Sequence, residues 1–187
     1  MIMRNYLLML LLVAVSSAAL AQTSRGPEEI GLRLNSFEDF DFIYKKELST
    51  EVYRRVRLLS ASIQFASVDQ QTLFGFNVGA AIGREKRVKL TDKLKFHHGF
   101  EPGAELGLSN SQNNNFGGST IVTLTPFLGY VLGFQLAISD RFTLGMESIP
   151  TIRAQLNLVR DQPGIFNLNA GFNSNAIALT GVYRFIR

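Results

Sequence analysis

From Val122 to Ile138 every second position reads Val122, Leu124, Pro126, Leu128, Tyr130, Leu132, Phe134, Leu136 and Ile138. The positions between read Thr123, Thr125, Phe127, Gly129, Val131, Gly133, Gln135 and Ala137. One face is greasy and the other small and mixed. A period of two puts successive side chains on opposite faces of a β-strand. Phe74, Phe76, Val78, Ala80 and Ile82 alternate in the same way with Gly75, Asn77, Gly79, Ala81 and Gly83. Leu179, Gly181, Tyr183 and Phe185 alternate with Ala178, Thr180, Val182 and Arg184. A helix would show apolar residues at i, i+3 and i+4, and none of these windows does. The chain reads as all-β.

Turn signals divide it into eight strands, near 29–37, 40–48, 52–66, 72–84, 93–108, 119–138, 141–157 and 174–186. The connections fall into two sets. One comprises 49–51, 85–92 and 139–140; the other comprises 38–39, 67–71, 109–118 and 158–173. Two of the second set are long and rich in Asn and Gly. Short turns at one end and longer loops at the other are the habit of transmembrane barrels, whose termini lie on the short-turn, periplasmic side. Residues 1–21 stand apart: Arg4, an apolar run over 6–15, and small residues ending Ala19-Leu20-Ala21 read as a cleaved secretory signal peptide. The barrel domain then covers 22–187. No later apolar run is long enough to cross a bilayer as a helix.

Alternation also suits a soluble sandwich or a lipocalin-like carrier, with the apolar face inward. Three features favour the inverse. The second face carries evenly spaced glycines (75, 79 and 83; 99, 103 and 107; 129 and 133), which suit a narrow lumen. The same face carries charges of both signs. By parity these are Glu29, Arg33, Asp41, Lys45, Lys95, Glu101, Glu105, Glu147, Arg153 and Arg184, with Arg55 and Arg57 nearby. An eight-stranded barrel is just wide enough for side chains to fill, and charges buried there must pair. Arg33, Lys45, Lys95, Glu101, Glu105, Glu147, Arg153 and Arg184 are the candidate lumen network. Third, the chain ends as a strand in which Tyr183 and Phe185 share the greasy parity and suit an interfacial aromatic girdle.

The segments 42–48, 83–87 leading to 93–96, and 129–135, with the terminal Tyr183-Arg184-Phe185, carry a resemblance. The chain resembles the small outer-membrane β-barrel proteins of Gram-negative bacteria, in the OmpA-like or opacity-like size class. That resemblance implies a location in the outer membrane and a porin-like architecture. It makes Tyr183 and Phe185 a C-terminal assembly signal for the barrel-assembly machinery, although two residues follow the aromatic. Its motifs are architectural and imply no chemistry.

Other features offer little. Cysteine is absent, which removes disulfides, thiol nucleophiles and thiolate metal sites. His97 and His98 point to opposite faces of a strand and cannot share a metal; His97 lies on the lumen parity. Ser174-Asn175-Ala176 resembles a fragment of lipid A deacylases, but Phe172 stands where their histidine would, and no acid follows. A serine without a base is not activated. The run 84–89 reads as a solvated basic hairpin turn able to meet lipid phosphates, and 110–118 as a polar loop. Pro102, Pro126 and Pro150 fall inside strands and predict bulges or ends of the bilayer span. Arg54–Arg57 breaks strict alternation and predicts a register slip or a position below the membrane. The expectation is therefore an eight-stranded antiparallel transmembrane β-barrel with a side-chain-filled lumen. It would be structural or interactional, with no enzyme activity, cofactor or metal. Its expected partners are outer-membrane lipid and the assembly machinery, with lipopolysaccharide or a surface ligand as candidates, but no nucleic acid. Competing readings are a narrow channel, a soluble periplasmic lipocalin-like carrier and a lipid A-modifying enzyme.

Overall fold

The computed structural model describes residues 26–36, 39–68, 71–113, 117–159, 163–171 and 177–185. The signal peptide and the 174–176 fragment lie outside the described residues. The chain forms β1 (Glu28–Leu34), β2 (Phe40–Ser49), β3 (Val52–Val68), β4 (Gln71–Lys89), β5 (Leu94–Asn113), β6 (Gly117–Ala137), β7 (Phe142–Ser148), β8 (Thr151–Val159), β9 (Ile165–Gly171) and β10 (Ile177–Phe185). Each strand from β1 to β6 pairs antiparallel with the next, and β10 pairs with both β7 and β1. That ring is a closed eight-stranded antiparallel barrel. β8 continues the line of β7 along β6, and β9 pairs with β8.

The stagger can be read from the ladders. A row of paired residues from Leu32 runs through Phe42, Leu58 and Ala80 to Ala104. In the other direction it runs through Gly181, Leu144 and Leu136 to Leu94. Both ends lie on β5, ten residues apart. Eight strands with such a stagger tilt by about 40° and leave a bore that side chains fill.

The faces are inverted relative to a soluble protein. Phe100, Phe42, Phe134 and Leu128 stand outward, 59, 56, 50 and 46% exposed, whereas Lys45, Glu85, Glu101 and His97 are fully buried. Phe74 and Phe134 would have to line the interior of a lipocalin-like carrier; both face out. Aromatic pairs sit on this outer face near the end that carries the termini: Phe96 with Phe134, and Tyr183 with Phe185.

Several expectations need correction. Segment 84–89 is not a turn but the end of β4; the turn is 90–93, where Leu90 N and Thr91 N both donate to Leu94 O. The exposed Lys89 ammonium, 2.7 Å away, holds the Asp92 carboxyl there below its ordinary range. Loops 67–71 and 109–118 are shorter than expected because β3 to β6 run on into them, and 158–173 contains β9. Residues 114–116 of the polar loop lie outside the described residues. The prolines bring no bulge. Pairing between β4 and β5 steps from Ala81–Gly103 to Arg84–Phe100 without a change of register around Pro102. Likewise β6–β8 steps from Leu124–Leu156 to Phe127–Arg153 around Pro126. Pro150 separates β7 from β8 yet still accepts a bond from Tyr130 N. Each proline removes one donor and leaves the ladder in line. Finally, Tyr53, Arg55 and Arg57 alternate regularly into the lumen; β3 does slip register, but beyond them at Leu59/Ser62, and the β2–β3 ladder shifts on the β2 side at Glu47/Ser49.

Candidate functional site

The lumen holds the chemistry. Each contributing residue is placed by inward parity on its strand, and the stagger decides which of them meet. Arg55, on β3, is the hub. Its Nε donates to Glu101 Oε2 at 2.6 Å, and its Nη1 and Nη2 donate to Glu147 at 2.7 and 2.6 Å. Arg57 donates to the other oxygen of Glu101 at 2.8 Å and to Asp41 at 2.6 Å. Arg33 Nε lies 2.8 Å from Glu147 Oε1, and Lys45 Nζ lies 2.7 Å from Glu85 Oε2. These two are close ion pairs without hydrogen-bond alignment. Arg87 donates to Glu85 at 2.8 Å and straddles Glu29 at 2.9 and 2.6 Å, with its guanidinium 3.6 Å from the Tyr53 ring centroid. Arg184 closes the cluster against Glu29 at 2.8 Å.

Five cations (Arg33, Lys45, Arg55, Arg57 and Arg87) thus meet five acids (Glu29, Asp41, Glu85, Glu101 and Glu147), all at most 4% exposed. The set is formally neutral. A charge in a low-dielectric interior persists only with partners of this kind, and bidentate guanidinium–carboxylate geometry supplies the strongest of them.

The sequence candidates divide. Arg33, Lys45, Glu101 and Glu147 lie in the buried network, and Arg184 lies at its edge. Lys95 pairs separately with Glu51 at 3.2 Å near the turn end. Arg153 and Glu105 pair at 2.8 Å further toward the opposite end, both partly exposed. Glu85 and Arg87 were missed, because a charged run beside a turn reads as solvated. The available signal was parity: Gly79, Ala81, Gly83, Glu85 and Arg87 share one face of β4. His97 is buried, with Nε2 3.5 Å from Glu147 Oε2. Its ring nitrogens, Gln135 Nε2 and Thr180 Oγ1 have no hydrogen-bond partner among the described residues. Gly133 makes room for His97: a Cβ there would lie 2.6 Å from His97 Nε2. His98 faces out and meets Tyr130 Oη through Nδ1 at 3.3 Å. Among the described residues no three His, Cys, Asp or Glu side chains are placed to hold a metal. Tyr183 and Phe185 lie on the outer face of β10.

Beyond the network the lumen widens into a cleft of about 480 Å³ at the end remote from the termini. It is lined by residues of β3 to β6, β8 and β9, including Gln64, Asn77, Glu105, Arg153 and Gln155. Arg153, on the lining, also holds its guanidinium 5.3 Å from the ring centroid of the buried Phe127. A second hollow at the turn end is lined by Arg87, Lys93, Lys95, Gln135 and Arg184. The network separates the two.

A closed, staggered barrel with an apolar exterior and a charge-paired lumen has the fold of an eight-stranded transmembrane β-barrel. The chain is similar to solved structures of outer-membrane proteins. A major outer membrane protein from Thermus thermophilus superposes with a TM-score of 0.51 at 10% identity, over 87% of this chain and 100% of that one. Ail, the attachment invasion locus protein of Yersinia pestis, gives 0.40 at 10% identity, over 85% of this chain and 94% of that one. CarO of Acinetobacter baumannii gives 0.39 at 10% identity, over 86% and 97%. The first of these likenesses shows the common fold. No family model matches the chain, and no curated protein does.

Proposed function

We propose that this chain is an integral protein of the bacterial outer membrane. It belongs with the small OmpA-like or opacity-like barrels and serves a structural or surface-interaction role. The inverted barrel carries the reading: an apolar exterior facing lipid around a lumen closed by a neutral network of ten buried charges. The termini and the turns after β2, β4 and β6 face the periplasm, and the taller end faces outward. β10, with Tyr183 and Phe185 on its lipid face, is the strand presented to the barrel-assembly machinery. No catalytic role is assigned to any residue. A channel is disfavoured because the network occupies the bore. Cell fractionation followed by electrophoresis with and without boiling tests the reading. Recovery in the outer membrane with a heat-dependent mobility shift is the expected result. A soluble periplasmic protein without a shift would overturn it.

A further inference from the structure

The cleft at the tall end is the part of the lumen that the protein does not fill. Lower glycines are consumed by packing: a Cβ on Gly79 would lie 2.7 Å from Glu105 Cγ, and one on Gly129 would lie 2.7 Å from Ile149 Cγ2. Gly75 and Gly107 differ, since a Cβ at either would meet nothing closer than 3.5 Å. A methyl group could therefore be added there with only ordinary contacts. The side chains around it are mostly uncharged donor–acceptor groups, among them Gln64, Asn77, Gln155 and Asn169. The single charged pair, Arg153 with Glu105, is balanced within itself. Part of the lining is already ordered: Asn157 Oδ1 accepts from Thr123 Oγ1 at 2.9 Å and from Gln155 Nε2 at 3.2 Å.

Among the described residues the cleft is unwalled on one side. β1 and β2 stop at Leu34 and Phe40, whereas β3 and β9 continue with no described neighbour on that side. Outward from these two edges stand Ile63, Phe65, Phe166 and Leu168.

We infer that this cleft binds a neutral saccharide, free or borne on a lipid. Phe76 and Leu108 are the lining's large apolar side chains among mostly amide and hydroxyl groups, which suits a ligand with both polar and apolar faces better than a wholly apolar one, and a phosphate would lack an excess of cations. Amide side chains offer a donor and an acceptor from one group, which matches the vicinal hydroxyls of a sugar. The volume lies within the ~300–1,000 Å³ of small-molecule sites. The unwalled side would let a sugar head enter while its lipid tail stays against the outer face. The inference deepens the surface-interaction reading and rests on it only for which side of the membrane meets the ligand.

Saturation-transfer NMR on the full chain, refolded in a phosphocholine detergent, tests it with maltose, cellobiose and N,N′-diacetylchitobiose. At least one disaccharide should receive transfer, and Gly107→Phe, which fills the cleft, should weaken binding by about tenfold or more. Asn77→Ala with Gln155→Ala should weaken it as well. The mobility shift on boiling verifies that each variant is folded, so failure of the barrel and failure of the cleft are distinguishable. Transfer no greater than to glycerol, transfer unchanged in Gly107→Phe, or displacement by inorganic phosphate would overturn the inference. Phosphatidylcholine vesicles carrying an alkyl glycoside of the same sugar identify the source. Affinity about tenfold tighter than for the free sugar marks a lipid-borne ligand, and equal affinity a free glycan; both support the site.

Discussion

At the scale of single residues, Arg55 bridges three acids of the lumen, bound to Glu101 and Glu147 and 3.5 Å from Glu85. Removing one partner of a buried pair strands the other, whereas replacing a whole set with apolar groups need not destabilise. Arg55→Met should therefore cost about 3–5 kcal/mol, read from urea titration in lipid vesicles by the fraction of heat-modifiable band. Arg55→Lys should recover little of this, because an ammonium cannot hold Glu147 with two parallel donors while reaching Glu101. Full recovery by lysine would show that charge alone matters and that fork geometry does not. A different logic governs Gly99. A Cβ there would meet the Arg84 carbonyl oxygen, which is backbone and cannot turn away. Gly99→Ala should destabilise by ~1–3 kcal/mol, while Gly107→Ala, whose Cβ would make only ordinary contacts at 3.5 Å or more, should remain close to the parent in the same titration.

At the scale of strands, the sequence pattern was legible wherever one face had to meet lipid. The alternation of 122–138 and 177–185 requires only that every second side chain be apolar, and β6 and β10 stand where that period places them. The alternation also brought out the inward charges Arg33, Lys45, Glu101 and Glu147 on four different strands. What stayed hidden was length and continuity. β9 carries Asn167 and Asn169 and has every side chain exposed, so no buried face imposes a period strong enough to separate it from a loop. The ends of β4 and β5 were hidden for the same reason, since charged or amide side chains can continue a ladder. The apolar face itself is testable on β6. Leu132 stands outward opposite His98 and Ser148, level with the charge network. Leu132→Arg should cost roughly 2–4 kcal/mol if this level is the bilayer midplane. An unchanged urea midpoint for vesicle-folded protein would move the membrane to another height or off this face.

At the scale of the whole molecule, the pairing of charges depends on a quantity that no single strand contains. Arg55 and Glu147 are 92 residues apart and meet only because the ladders close with a ten-residue stagger. Parity says which side chains enter the lumen, and the stagger alone says at which height they meet. β4, β5 and β6 have 19, 20 and 21 residues, about twice the 9–11 that cross a bilayer. The barrel therefore has a closed lower part of membrane height and a taller partial wall around the cleft. Transport follows from the same arrangement. The tall-end cleft and the turn-end hollow are separated by the ten buried charges, so an ion crossing the bore would have to displace groups bonded at 2.6–2.8 Å. Planar-bilayer recordings in molar potassium chloride should show no steady conductance steps for the parent protein. The double variant Arg57→Ala with Glu101→Ala removes a cation and an anion together, keeps the lumen neutral and leaves the Arg87–Glu29 pair in place. It should introduce a small leak while retaining the mobility shift. Regular steps from the parent, with the network intact, would mean that these pairs open and close in the membrane, and the lumen would then be a gate rather than a plug.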